Sequence, residues 1–228
     1  MIWGIVGALE EEIELLKEQM ELEKTVDVYG CRFYQGTLRN HGVVLVCCGV
    51  GTINATVCTS VMIREFHATA VVNVGIAGCT SPDLDVLDVV IADELVFHDA
   101  DLDILEKYYP FRSSFPTDEA LRNIAVKAIE SLPERSFQYK IGRIATGDAY
   151  VTDSARKEDI VHRTAPLCLE MEGAAVAQTA YMNGVPCLVI RSMSDKADED
   201  ADLSFETFCK QAANHSAIIL MEILRLSR

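Results

Sequence analysis

Short Val/Ile-rich runs alternate with stretches of helical spacing along nearly the whole chain, and this alternation restricts the possible folds more than any other feature. Residues 2–7, 43–48, 70–75, 89–97, 141–146 and 186–191 read as strands. Several show little polar alternation, as expected of strands covered by helices on both faces. Residues 9–20, 53–66, 117–131, 173–182 and 205–226 repeat their apolar positions every 3.6 residues and read as helices. Strand then helix, repeated, predicts an α/β fold with a mixed, mostly parallel central sheet flanked by helices. The 228 residues, half of them hydrophobic, suffice for one such core. No repeat, linker or low-complexity tract interrupts them, so a single domain over 1–228 is expected.

Charge narrows the partners. Lys plus Arg number 20 against 35 Asp plus Glu, a formal net charge of −15. Such a surface repels phosphates, which argues against nucleic acid and anionic membranes. The apolar start, residues 1–9, lacks a basic flank and is cut off by Glu10, Glu11 and Glu12, so it does not read as a signal peptide. No apolar run reaches the roughly 18 residues that span a bilayer. The eight cysteines form no CxxC pair and mostly sit inside apolar runs. They read as small buried hydrophobes of a protein in the reducing cytoplasm.

Three features fall at the carboxyl ends of expected strands, where α/β proteins place ligands. The first is the stretch from Gly4 through Gly7 to Glu12, a strand passing by a glycine turn into an acidic helix start. Acids in a first turn complement the helix dipole, which accounts for Glu10 and Glu11 and leaves Glu12 open to a second role. The second is Gly75-Ile76-Ala77-Gly78 after one strand, with Gly49-Val50-Gly51 after another. The run from Gly49 approaches a dinucleotide fingerprint, but Asn54 stands in place of the third glycine and no acid follows at the end of a second strand. The dinucleotide reading therefore fails on context. The third is the pair Leu169-Glu170-Met171-Glu172-Gly173 and Arg191-Ser192-Met193-Ser194-Asp195, each leaving an apolar strand in charge. Charged strand ends can be solvated edges; two together, with an arginine among them, point to a polar pocket. Residues 101–116 show no clear period and carry Tyr108, Tyr109, Phe111 and Phe115, an expected loop of exposed aromatics. His98-Asp99-Ala100-Asp101 can be read as metal ligands.

Taken together, these segments resemble the methylthioadenosine/S-adenosylhomocysteine nucleosidases, within the wider purine nucleoside phosphorylase and uridine phosphorylase superfamily. The resemblance extends through Asn73 to Gly78, His98 to Asp101, Thr146-Gly147-Asp148-Ala149-Tyr150, Glu170-Met171-Glu172, Arg191 to Asp195 and Leu203-Ser204-Phe205-Glu206. It implies a nucleoside phosphorylase-like fold and hydrolysis of the N-glycosidic bond of a 5′-substituted adenosine. The substrate would be methylthioadenosine, S-adenosylhomocysteine or a relative such as 5′-deoxyadenosine or aminodeoxyfutalosine, and the setting methionine salvage.

Residue by residue, the resemblance makes Asp195 the acid that protonates adenine N7, held by Ser194. It makes Glu12 the base that activates water, and Arg191 part of the shell around that water. Glu172 would grip the ribose hydroxyls beside the Met171 backbone. Tyr150 would stack on adenine, the Val151 backbone would pair with the base edge, Phe205 would line the base pocket and Val50 the 5′ pocket. It implies no metal and no cofactor, reads the His98 tetrapeptide as structural, and implies a homodimer whose 101–116 loop closes the partner's pocket. Two departures stand out. Ile76 replaces a serine whose hydroxyl helps hold the water in most hydrolases of the family. Asn73 stands where the phosphorylases place a phosphate-binding arginine, which favours water as nucleophile. The alternatives are a phosphorolytic enzyme of the same fold and a non-catalytic nucleoside-binding protein.

Overall fold

The computed structural model describes residues 1–133 and 135–227. Its centre is the parallel set β4 (His41–Cys47), β1 (Ile2–Gly7), β5 (Ala70–Cys79) and β10 (Cys187–Asp195), paired in that order. On one side β4 continues antiparallel into β3 (Cys31–Leu38) and β2 (Glu21–Val28). On the other, β10 pairs antiparallel with β6 (Val89–Phe97), which runs parallel to β8 (Tyr139–Thr146). The short β9 (Cys168–Glu170) joins β8 back to β5, so β5, β10, β6, β8 and β9 close into a ring. This mixed sheet, flanked by helices, is the expected α/β architecture.

The near-continuous apolar strands follow from cover on both faces. Val6, Val46, Val71 and Val189 face helices α2 (Thr52–Arg64) and α6 (Gly173–Met182), packing with Cys58, Met62 and Val176. Ile5, Leu45, Val72 and Ile190 face the other way, toward α1 (Glu10–Gln19), α4 (Glu119–Ser131) and α7 (Ala201–Leu226). There they meet Ile13, Leu16, Ala125, Ile219 and Leu220. With alternate residues serving two apolar layers, no polar position is needed inside these strands.

Four strands and two helices have no counterpart in the periodicity. Strand β2 reads Glu-Leu-Glu-Lys-Thr-Val-Asp-Val and is exposed along most of its length, an edge strand whose charges discourage pairing with another chain. Its partner β3 and the three-residue β7 (Ser114–Pro116) and β9 are set by pairing rather than by pattern. Helix α5 (Ser154–Thr164) buries only Ile160 and Thr164, so it shows no apolar stripe. The stretch 101–116 is not irregular throughout: it holds α3 (Leu102–Lys107) and β7. Tyr108, Tyr109 and Phe111 are exposed as expected, but Phe115 is fully buried in the core against Phe97, because β7 pairs with β6 and turns it inward. Strands β5 and β10 also run four residues beyond their expected ends, to Cys79 and Asp195, so Ile76, Ser194 and Asp195 lie within strands.

All eight cysteines are free thiols, six of them buried. Among the described residues, no helix is long and apolar enough to cross a membrane.

Candidate active site

The carboxyl ends of β5 and β10, the turn into α1, and the starts of α6 and α7 converge on one cavity of about 380 Å³. Glu12, Val50, Ile76 and Tyr150 line it, together with Met171, Glu172, Ser194, Asp195 and Phe205. Val151 lines a small recess next to it, shared with Tyr150, Met171 and Asp195. Arg191 does not reach the cavity wall; it lies buried behind Glu172. All eleven expected positions therefore gather in one place, nine on the wall itself.

Glu12 sits in the first turn of α1 with its carboxylate turned back toward the sheet. One oxygen accepts from the Ala8 and Leu9 amides at 2.6 and 3.0 Å, the other from the Ile76 amide at 3.0 Å. Gly75 makes this possible, since a Cβ there would lie 2.4 Å from the nearer oxygen of Glu12. Two effects oppose each other at this carboxyl. Burial raises its pKa, while Arg191 and the three amides lower it; burial prevails and the net shift is upward.

Glu172 stands at the N-cap position of α6 without bonding that helix through its side chain, and its carboxylate accepts from the Gly51 amide at 2.8 Å. Gly51 has φ +104°, a conformation that side chains disfavour, and this turn aims its N–H at the carboxylate. The glycine loop after β4 therefore serves a carboxylate, and Asn54 closes it by donating to the Val50 carbonyl at 2.8 Å. Burial and the neighbouring Glu170 push the Glu172 pKa up to about 8, against the attraction of Arg191 at 3.8 Å.

Arg191 is 1% exposed and bonds Glu170, Asn73 Oδ1 and the Ile190 carbonyl, while its Nε meets no acceptor among the described residues. Burial works against its charge, but Glu170, Glu172 and Glu12 outweigh that and hold it firmly cationic. Asn73 in turn donates to the Val6 carbonyl at 2.9 Å, so it ties Arg191 to β1 from beneath the cavity.

At the opposite end, Asp195 accepts from Ser194 Oγ at 2.7 Å and from the Ala197 amide at 2.8 Å. Burial raises its pKa despite these two donors, with Asp198 and Asp202 adding to the rise. Beside it the Tyr150 and Phe205 rings stand edge to face, centroids 6.2 Å apart, leaving Tyr150 45% exposed on the cavity side. A buried acid beneath aromatic walls at one end and a carboxylate cluster with one arginine at the other suit a flat heterocycle joined to a hydroxylated ring.

His98, Asp99 and Asp101 do not converge. His98 is buried against Gly147, Asp99 accepts from the Asp148 amide at 2.8 Å, and Asp101 caps α3 through the Ile104 amide at 3.1 Å. Seven wall residues had no role assigned from the sequence: Ala8, Leu9, Ala77, Gly78, Leu169 and Glu170, which stood in noted motifs, and Asp202 in the first turn of α7. Asp202 reads as ordinary dipole-complementing acid, and only the cavity distinguishes it.

The sequence pattern of the phosphorylase superfamily matches residues 3–225. A 5′-methylthioadenosine/S-adenosylhomocysteine nucleosidase of Geobacillus thermodenitrificans is 39% identical over 226 residues, covering 97% of this chain and 95% of that one. The Neisseria meningitidis nucleosidase of the same name, solved with methylthio-immucillin-A, superposes with a TM-score of 0.93 at 37% identity over 98% of both chains. The Colwellia psychrerythraea enzyme, solved with adenine, gives 0.93 at 33% identity over 98% of this chain and 94% of that one.

Proposed function

Because the chain belongs to the phosphorylase superfamily, and within it to the 5′-methylthioadenosine/S-adenosylhomocysteine nucleosidases, we propose that it hydrolyses the N-glycosidic bond of 5′-substituted adenosines and releases adenine. The observation that carries this reading is a single cavity with a buried acid, Asp195, at one end and a buried base, Glu12, at the other. Cleaving the C–N bond leaves an oxocarbenium-like sugar and a base that must not depart as an anion. Asp195, its proton favoured by burial, donates to adenine N7 while Ser194 fixes its orientation. Tyr150 stacks on the purine, Phe205 lines the base pocket, and the Val151 backbone meets the base edge. Glu172 and the Met171 backbone take the ribose hydroxyls, and Val50 walls the 5′ group.

Water is activated by Glu12, with Arg191 behind it, and the net negative charge of the cluster of Glu12, Glu170, Glu172 and Arg191 stabilises the cationic sugar. The cavity favours water over phosphate: among the described residues no lysine or arginine lines its wall, and Asn73 is turned down to Arg191 and Val6. The test is adenine release from a panel of 5′-substituted adenosines in phosphate-free buffer. We expect free adenine and a free ribose derivative; a ribose 1-phosphate product would overturn the reading.

The protein acts as one domain over 1–228, in the cytoplasm, as a step of methionine salvage, and as a homodimer. Support for the dimer is the apolar surface left open by Tyr108, Tyr109 and Phe111 and by Ile53, Val57 and Met182 on adjacent α2 and α6.

A further inference from the structure

The first acid of Glu170-Met171-Glu172 has no place in that chemistry, yet it is the most heavily bonded carboxylate of the site. Its Oε2 accepts from Arg191 Nη2, from the Glu172 amide at 3.0 Å and from the Gly173 amide at 2.7 Å. Its Oε1 accepts from Thr146 Oγ1, which itself accepts from the Ala174 amide at 2.8 Å. One side chain therefore caps α6, ties that helix to β8 and anchors the arginine on β10. We propose that Glu170 is a positioning residue for the nucleosidase reaction: it takes up the charge of Arg191, so that Glu12 and Glu172 are left crowded and hold a proton between them.

Counting charge supports this. Glu12, Glu170 and Glu172 surround a single guanidinium, and full ionisation would leave two uncompensated negative charges in a space shut off from solvent. Glu170 has four donors on its two oxygens, whereas Glu172 has the Gly51 amide and lies 3.8 Å from Arg191. The proton therefore belongs on the side facing the sugar. The other titratable groups nearby do not change this sign. His98, just after β6, and Cys168 from β9 face Glu170, and burial favours the neutral form of both. Cys48, after β4, faces Glu172 and is likewise held as a thiol. Asp195 belongs to the far end of the cavity. The arrangement suits the reaction: with the shared proton resting on Glu172, the Glu12 carboxylate is left to take the proton of the attacking water as its oxygen bonds to the sugar, without rebuilding the arginine's contacts.

The inference rests on the nucleosidase reading, and the experiment separates the two. Glu170→Gln keeps the shape and removes the charge. Losing that charge removes repulsion on Glu172 and turns Arg191 toward it, so both effects favour ionisation of the pair. We expect the acidic limb of the kcat profile to move down by about one pH unit or more. Plateau kcat should fall by about tenfold to a hundredfold as Arg191 loses its anchor. A purely structural helix cap would lower kcat and melting temperature and leave the limb in place, which would overturn the proposal. If the glutamine variant does not fold, Glu170→Asp carries the test. With the charge kept and the reach shortened, kcat falls and the limb stays; a limb that moves would overturn the proposal. Absence of adenine release by the unmodified protein would instead defeat the nucleosidase reading itself.

Discussion

The two ends of the cavity are built differently. At the carboxylate end, Glu12, Glu170, Glu172 and Arg191 are all more than nine-tenths buried and hang from strand ends and helix starts. Their positions are fixed largely by main-chain donors: the amides of Ala8, Leu9, Gly51, Glu172, Gly173 and Ile76. At the aromatic end Asp195 is held by one main-chain donor, the Ala197 amide, and by the Ser194 hydroxyl, which donates to it. Tyr150, Val151 and Val50 belong to connecting segments, and Phe205 to the first turns of α7. Val50 and Tyr150 are 47% and 45% exposed. One end is preorganised for charge; the other is open enough to admit a substrate and needs cover to exclude water. That division suits a reaction whose electrostatic demand falls on the sugar and whose specificity falls on the base and the 5′ group.

The largest effects should come from removing the proton carriers at each end. Glu12→Gln should lose about 10³-fold in turnover and Asp195→Asn about 10²-fold or more, the usual range for general acids and bases. Adenine release at near-native rates by either variant removes that residue from the mechanism. The variants also sharpen the comparison. Asp195→Asn should lose less on a substrate whose leaving base needs no protonation, and Glu12→Gln should not discriminate between leaving bases.

Next comes the charge crowding of the buried end. The Glu172 pKa of about 8 lies above its ordinary value of 4.5, so its neutral form stabilises the folded state. That contribution is complete below about pH 4.5 and is lost as pH rises through about 8. The ligand-free protein should therefore lose on the order of a few kcal/mol of stability across this window, and Glu172→Gln should remove that slope. Melting curves of both proteins from pH 5 to 9 decide the matter: parallel curves would mean that Glu172 is not the group that resists ionisation.

The open end predicts an effect of assembly. If a second copy supplies the missing cover, Tyr109→Ser with Phe111→Ser should weaken the dimer and raise KM by about tenfold, the loss of one or two well-packed aromatic contacts. Sedimentation showing a monomer that is fully active when dilute would break this account of the aromatic end.

How much of this the sequence disclosed follows the same division. The strands β1, β4, β5 and β10 were legible because apolar layers cover them on both faces, while β6 and β8, which carry Asp93, Glu94, Lys140 and Arg143, were legible from the Val, Ile and Leu of their buried stretches. Strand β2 was not, since an exposed edge strand needs no apolar face, and β7 and β9 are three residues long, below any period. Glu12 and Glu172 stood out because a charge follows an apolar strand at each. The role of Glu170 stayed hidden because a buried carboxylate that serves backbone amides looks, in sequence, like any strand-end acid. Arg191 was legible as part of the site, but its place behind the cavity wall depends on Glu170 and Asn73, which both accept from the same nitrogen. Phe115 looked like its exposed neighbours because strand pairing, not local pattern, turns it inward.

The smallest expected effect tests Ile76, where the resemblance implies a serine. The Ile76 amide donates to Glu12, a bond that any side chain at this position retains. The side chain itself packs with Cys209, Ala212 and Ala213 of α7, and with Leu9, Leu87 and Phe205. It thus places apolar atoms where a serine hydroxyl would assist the water, and it keeps Glu12 dry. One neutral hydrogen bond is worth about 0.5–1.5 kcal/mol, or roughly threefold to tenfold in rate. Ile76→Ser should therefore speed hydrolysis modestly and leave the preference for adenine nucleosides unchanged. Admitting solvent beside Glu12 weakens the burial that raises its pKa, so the acidic limb of the pH–rate profile should move down. The exchange also opens space against Ala212 and Ala213, and a loss of about 2–4 kcal/mol in stability should accompany the gain in rate. The measurement is a pH–rate profile of both proteins on the best substrate, with melting temperatures alongside. A serine variant that is slower, with its acidic limb unmoved, would show that Ile76 shapes the pocket for its substrate and that the water is held without help from this position.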